Sequence, residues 1–338
     1  MRILLVTQMW PSAANPDLGS FLVPVRRELE ALGHEVEVVA ISDRGGSRSK
    51  YTRLVAEAVA AARRNPPDVV FAHFLFPAGA AGALAALAAR APLVVMAHGQ
   101  DVANFGEIPG VAPASRWVVA RSTALIANSS WLAERLADRI PAAEPKLSVI
   151  DCGVDLDAFA PGDAAAARAE LGWDGDGPAF LCVGSLIERK NVLRLADAFE
   201  RHGAGRLAFV GDGPLRPELE GHDGVRLVGR VPQEDVPAWV AACDVLCQPS
   251  LIEPFGQATL EALSMERTVL ATTIGGPPEF VSRDAGVLVD PYDTAALTAA
   301  LAHAAALPAP NPAGRQVAAG HDVRRQAARM AAVLEGAL

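Results

Sequence analysis

Strand-length apolar runs recur along this chain with helix-length segments between them, and that alternation restricts the fold more than any other feature. Arg2–Thr7, Glu35–Ile41, Asp68–Ala72, Leu93–Ala97, Thr123–Ala127 and Leu147–Ile150 read as strands. Phe21–Leu32 reads as a helix ending at Gly33, and Tyr51–Arg64 as one ending before Pro66, with a loop at Gly45 and Gly46 ahead of it. Continuous apolar strands separated by helices specify parallel sheets covered on both faces, an α/β class. The pattern then restarts. Pro161–Pro178 is rich in Ala, Asp and Gly, and strands follow at Ala179–Val183, Leu207–Val210, Val225–Leu227, Val245–Gln248, Val269–Thr272 and Gly286–Val289. Two Rossmann-like, doubly wound parallel-sheet domains are therefore expected, over 1–162 and 163–320, with Gly153–Pro161 as the connection. A tail over 321–338 carries a helix, about Asp322–Glu335, that has no strand after it and is expected to pack back on the first domain.

Just over half of the 338 residues are hydrophobic, enough for two buried cores. A net charge of −9 argues against tracking a nucleic-acid backbone, which needs a basic face. It leaves room for a small phosphorylated substrate met by local positive charge. Cys152, Cys182, Cys243 and Cys247 lack the paired spacing of a zinc site and read as small buried apolar residues in a reducing compartment. The apolar start Met1–Val6 is cut short at Gln8, so no signal peptide is expected. The longest apolar stretch, Pro77–Ala97, is mostly Ala and Gly, holds Arg90 and is broken by Pro92; it reads as a helix followed by a strand. A cytoplasmic location follows, with peripheral contact at the inner face of the membrane left open, although no strongly basic amphipathic helix supports it.

The chemistry concentrates in Gln248–Leu263, Gln-Pro-Ser-Leu-Ile-Glu-Pro-Phe-Gly-Gln-Ala-Thr-Leu-Glu-Ala-Leu. A strand ends near Gln248, a loop carries Glu253, and a helix begins around Gly256. Helix starts offer unpaired N–H groups and a positive dipole end, so the backbone over Gly256, Gln257 and Ala258 suits a diphosphate. Glu261, one turn inside, suits ribose hydroxyls, and Glu253 suits sugar hydroxyls. Two glutamates eight apart also arise by chance on an exposed helix, so spacing alone does not decide.

The same segment closely resembles the signature of glycosyltransferase family 4, retaining enzymes of the two-domain GT-B fold. Further matches are spread along the chain: Val183-Gly-Ser-Leu-Ile-Glu-Arg-Lys-Asn191, Val210-Gly-Asp-Gly-Pro214, Gly229-Arg-Val231 and Gly275-Gly-Pro-Pro-Glu279. In the first half they include Gly19-Ser-Phe21, His98-Gly-Gln-Asp101 and Gly153-Val-Asp155 with Phe159 and Pro161. The resemblance implies two domains facing a central cleft, the first holding the acceptor and the second a nucleotide-sugar donor. Lys190 is then the cation on the donor diphosphate, a task suited to a flexible point charge. The family often has an arginine where this chain has Ser185; Arg189 is the candidate substitute, although adjacent side chains diverge. Arg230 and Val231 fall at the turn near the nucleotide base, while Phe255, Gly256 and Gln257 line the donor. Glu253 and His98 reach the transferred sugar, Glu261 the ribose, and Gly19 the donor phosphate through its backbone. Gly275 and Gly276 either bring backbone close to the sugar or form a turn. His73 and Asp101 are candidate acceptor contacts, and Asp101 can alternatively orient His98.

These assignments imply transfer of a sugar, with retention, from a UDP- or GDP-sugar to a hydroxyl of a glycan, a lipid-linked sugar or a small metabolite. No carboxylate stands out as a covalent nucleophile, so front-face attack with the leaving phosphate taking the acceptor proton is the expected route, and domain closure would exclude water. No metal or other cofactor is expected: Asp155-x-Asp157 and Asp174-x-Asp176 imitate a metal motif but sit in linker-like sequence. The loop Gln8–Ser20 lacks the Gly-x-Gly-x-x-Gly of nicotinamide enzymes, and no Walker-type loop is present. A nucleotide-sugar epimerase of the same fold, or a non-catalytic nucleotide-sugar-binding protein, remains the alternative.

Overall fold

A computed structural model of the 338-residue chain describes every residue except Gly46 and Arg48, so the expected turn at Gly45 and Gly46 lies partly outside the described residues. The chain divides into two compact units, Met1–Gly153 with Val323–Leu338, and Val154–Asp322.

The first unit holds strands β1 (Arg2–Thr7), β2 (Glu35–Ala40), β3 (Val69–His73), β4 (Leu93–Ala97), β5 (Ala124–Ala127) and β6 (Leu147–Val149). They form one parallel sheet in the order β2-β1-β3-β4-β5-β6. Strands β3 and β4 are buried along their whole length, which is why they read as apolar runs up to His73, the closing residue of β3. The Leu22–Ala31 helix ends as its sequence dictates: Gly33 takes a positive φ of 87° and donates its N–H to Glu30 O at 2.9 Å, closing the last turn.

The second unit repeats the plan with β7 (Ala179–Val183), β8 (Arg206–Val210), β9 (Val225–Gly229), β10 (Val245–Gln248), β11 (Thr268–Thr272) and β12 (Gly286–Val289), all parallel in the order β12-β11-β10-β7-β8-β9. From β7 the chain builds β8 and β9 to one side, then returns to lay β10, β11 and β12 on the other. The switch point of this sheet is therefore the β7–β10 pair, and in the first sheet it is β1–β3. In open α/β sheets ligands bind beyond the carboxyl ends of strands at such points.

The division falls at Gly153 rather than near residue 162 because the intervening segment is built into the second unit. Val154 N–H bonds to His321 O at 2.8 Å, and Phe159 O accepts from Ser264 Oγ at 2.9 Å and from Arg315. The C-terminal helix, Val323–Gly336, packs on the Leu22–Ala31 helix and seals Val323, Met330 and Leu334 into a core with Ile3, Leu5, Val25 and Leu29. All four cysteines are free and buried, and burial pushes the Cys182 and Cys243 thiols up to about 12. No described helix is long and apolar enough to cross a membrane.

Candidate active site

The two strands at the switch point of the second sheet deliver the charged groups. After β7 the turn through Ser185 and the short 3₁₀ segment Glu188–Lys190 leads to Asn191, which adopts a left-handed φ of 59°. Asn191 is buried, and its Nδ2 donates to Pro249 O at 3.0 Å and Pro291 O at 2.8 Å, lashing this turn to the loops after β10 and β12. Lys190 is thereby aimed at the β10 loop. Its Nζ lies 2.6 Å from Glu253 Oε2.

Glu253 is buried, and its Oε2 also accepts from Gln248 Nε2 at 3.0 Å and Ser250 Oγ at 3.1 Å. Gln248 in turn accepts Thr259 Oγ1 at 2.8 Å, so a chain of hydrogen bonds runs from the first turn of the Gln257–Ser264 helix to the carboxylate. Burial alone would raise the Glu253 carboxyl. The Lys190 ammonium, the nearby Arg189 guanidinium and the Ser250 hydroxyl outweigh it and hold the group below its ordinary range. All three donors fall on Oε2, which leaves Oε1 without a protein donor among the described residues. Arg189 also reaches Ile252 O at 3.3 Å, so it supplies a second positive charge beside the carboxylate; Ser185 is half-buried in the same turn.

The loop carrying Glu253 is fixed from the other side by the backbone after β11. Glu253 N–H donates to Ile274 O at 3.1 Å, and Gly276 N–H donates to Glu253 O at 2.9 Å. A Cβ on Gly275 would stand 1.8 Å from Glu253 O, and its φ is 124°. Only glycine permits this crossing, so here the Gly-Gly pair serves the approach of two backbones. The loop ends at Gly256, whose φ of 105° turns the chain into the Gln257–Ser264 helix. The Phe255 ring packs into the core against Phe280, with centroids 5.3 Å apart, so only its backbone is available to a ligand.

Glu261 is buried, and among the described residues its carboxyl has one weak protein partner, Gln257 Nε2 at 3.5 Å. Burial raises its carboxyl to about 8. The site thus holds two buried glutamates of opposite character, one ionised by its cations and one kept neutral by dehydration. Arg230 is exposed and Val231 half-buried in the turn after the edge strand β9, two strands from β7.

The carboxyl ends of β1, β3 and β4 carry the expected residues of the first unit. His98 follows β4, and its Nε2 lies 3.0 Å from Nδ1 of His73, the last residue of β3. The rings of Phe21 and Phe74 flank His98 at centroid distances of 5.2 and 4.5 Å. Burial drives His98 down to about 3, and burial together with the neighbouring His98 carries His73 well below 6.5. Asp101 is buried; one oxygen accepts His98 N–H at 3.2 Å and Gly99 N–H at 2.9 Å, the other Leu75 N–H at 2.8 Å. The readings of His73 and Asp101 as acceptor contacts are corrected by this burial: neither side chain is open to an acceptor, His73 braces His98, and Asp101 caps the loop that bears it. Gly19 has a φ of 68°, and a Cβ there would meet Met9 O at 2.5 Å, so it is required by the folding of its own loop.

Among the described residues, three metal-type ligand atoms converge only at Asp197, Glu200 and His222. Glu200 lies near the end of the Val192–His202 helix and His222 just before β9, at the amino ends of the strands, whereas Lys190 follows the carboxyl end of β7. Asp155 Oδ1 instead accepts the backbone N–H groups of Asp157 and Ala158 at 3.1 and 3.2 Å, as a turn cap.

Comparison with known proteins identifies the arrangement. Residues 19–158 match the family described as Glycosyltransferase Family 4, and residues 177–306 match Glycosyl transferases group 1. The chain is a family 4 glycosyltransferase. It is 26% identical over 347 residues to TuaC of Bacillus subtilis, named as a teichuronic acid biosynthesis glycosyltransferase, covering 89% of this chain and 88% of TuaC. It is 33% identical over 290 residues to a D-inositol 3-phosphate glycosyltransferase of Streptomyces avermitilis, covering 77% of this chain and 62% of that enzyme. HepE of Anabaena, solved in complex with UDP, superposes with a TM-score of 0.76 at 22% identity, over 99% of this chain and 100% of that one. Sucrose-phosphate synthase from Thermosynechococcus elongatus gives 0.80 at 20% identity, over 99% and 98%. The glycosyltransferase thus has the GT-B fold of two Rossmann-like units.

Lys190, Glu253 and Glu261 stand out in the sequence of this glycosyltransferase; the residues that hold them do not. Asn191, Gln248, Ser250 and Thr259 went unassigned. Gln248 had a legible signal, a polar residue closing an otherwise apolar buried strand; Asn191 had none, since its left-handed backbone and its two carbonyl partners are tertiary facts.

Proposed function

We propose that the enzyme moves a sugar, with retention and without a metal, from a nucleoside-diphosphate sugar to a hydroxyl acceptor. The observation that carries this reading is the pairing of Lys190 with Glu253 beside the start of the Gln257–Ser264 helix. Departure of a nucleoside diphosphate leaves negative charge on phosphate, which a pre-placed ammonium and unpaired helix N–H groups stabilise. The ionised Glu253, with Oε1 open, suits a sugar hydroxyl and positive charge growing at the anomeric carbon. Glu261, short of protein partners, suits the ribose diol. His98 offers its free ring nitrogen to a substrate hydroxyl. Glu253 is committed through Oε2 to Lys190, Gln248 and Ser250, and front-face attack with proton transfer to the departing phosphate is the favoured route.

UDP- and GDP-sugars are the favoured donors; HepE, solved with UDP-glucose, and the inositol phosphate glycosyltransferases among the relatives support a nucleotide-sugar donor and a small or glycan hydroxyl acceptor. The acceptor side is assigned to the first unit, and action in the cytoplasm, where nucleotide sugars are made, fits this substrate. Incubation with a panel of nucleotide sugars, with and without acceptors, followed by mass spectrometry tests the reading. Acceptor-dependent release of nucleotide in the presence of EDTA is expected. A rearranged donor without acceptor, or strict dependence on a divalent ion, would overturn it.

A further inference from the structure

We propose that His73 is a positioning residue that fixes His98 as the tautomer protonated on Nδ1, so that His98 presents an N–H, and not a lone pair, to the substrate. The proposal rests on the reading of His98 as a substrate contact. The hydrogen bond between His73 Nδ1 and His98 Nε2, 3.0 Å long, has one proton, and the sequence leaves open which ring owns it. Burial lowers both imidazoles, so in the neutral range each ring carries a single proton.

The far side of His73 decides. Its Nε2 is buried without a hydrogen-bond partner among the described residues, and no part of His73 reaches solvent. A proton on that nitrogen would be a buried N–H with no acceptor, the rarer kind of orphan in folded proteins, whereas a bare lone pair there is the milder defect. The His73 proton therefore sits on Nδ1 and is donated to His98 Nε2. That occupies the lone pair of Nε2 and leaves the His98 proton on Nδ1. His98 is half-buried, and Nδ1 has no protein partner among the described residues, so this N–H is the group it shows outward. The Phe21 and Phe74 rings hold the imidazole plane, and Asp101 holds its backbone, so the direction of the N–H is set as well as its presence. In this state His98 supports a hydroxyl oxygen or growing negative charge and has no free base with which to take the acceptor proton.

Proton-detected nitrogen spectra of histidine-labelled enzyme, assigned with His98→Ala, test the assignment directly: the expected result is one His98 tautomer, protonated at Nδ1, throughout the neutral range. His73→Leu should lower kcat by at least about tenfold with a smaller change in KM and should mix the His98 tautomers, whereas His73→Asn, which can place an amide N–H where Nδ1 stood, should recover most of the rate. A proton on Nε2 of His98 in the unaltered enzyme overturns the proposal, and that measurement decides even if His73→Leu does not fold. Full activity in His98→Ala would instead remove His98 from the reaction while leaving the tautomer result standing.

Discussion

Lys190 and Glu261 fail in different ways when removed. Lys190→Ala leaves Glu253 with Gln248 and Ser250, so the loop keeps its shape, but the departing phosphate loses its cation. Steady-state assays should show transfer falling by at least about 100-fold, with circular dichroism unchanged. Glu261 carries a cost in the empty protein. Its folded carboxyl, raised to about 8 from the ordinary 4.5, holds a proton that the unfolded chain releases; the resulting stability is present below 4.5 and is lost as pH rises towards 8. Glu261→Gln should therefore stabilise the ligand-free enzyme at pH 8, by on the order of 1–3 kcal/mol in denaturant titrations, while weakening free-nucleotide affinity in calorimetry. Stability and binding moving in opposite directions is the signature of a residue kept for its ligand.

At the level of elements, the Glu253 loop depends on its neighbour after β11. Gly275→Ala brings a methyl group to 1.8 Å from Glu253 O in a backbone region closed to alanine. A loss of about 1–3 kcal/mol is expected in thermal melts, with a proportionally larger fall in turnover because Glu253 itself is displaced. The Gly-Gly-x-x-Glu motif was legible in the sequence, but the backbone it avoids was not, since Glu253 and Gly275 meet only through the pairing of β10 with β11. The strands were legible for the reason they are buried: runs such as Val69–His73 need no alternation when both faces are covered. Their order was not, because neighbours in a parallel sheet are chosen by crossovers that leave no periodicity. His73 shows the limit at the site. Its position after a strand suggested a ligand contact, yet burial and a second histidine turned it inward.

For the molecule as a whole, acid should act mainly through the first unit. His73 and His98 are held below 6.5 when folded, so as pH falls below that value the unfolded chain takes up two protons that the folded one refuses. Stability is fully present above about 6.5 and should decline from there towards about 3, where His98 titrates; melts across this range should flatten in His73→Asn. The C-terminal helix is as much a part of this unit as its first strand, and Leu334→Ala, which empties a fully buried position beside Val25 and Leu29, should cost about 2–5 kcal/mol.

That helix also sets an order of events during synthesis. Residues 154–322 contain every strand of their own sheet, whereas the first unit is incomplete until Met330 and Leu334 are made. The portion made first is finished last, and a chain truncated after Asp322 should display a protease-resistant second unit joined to a protease-sensitive first one.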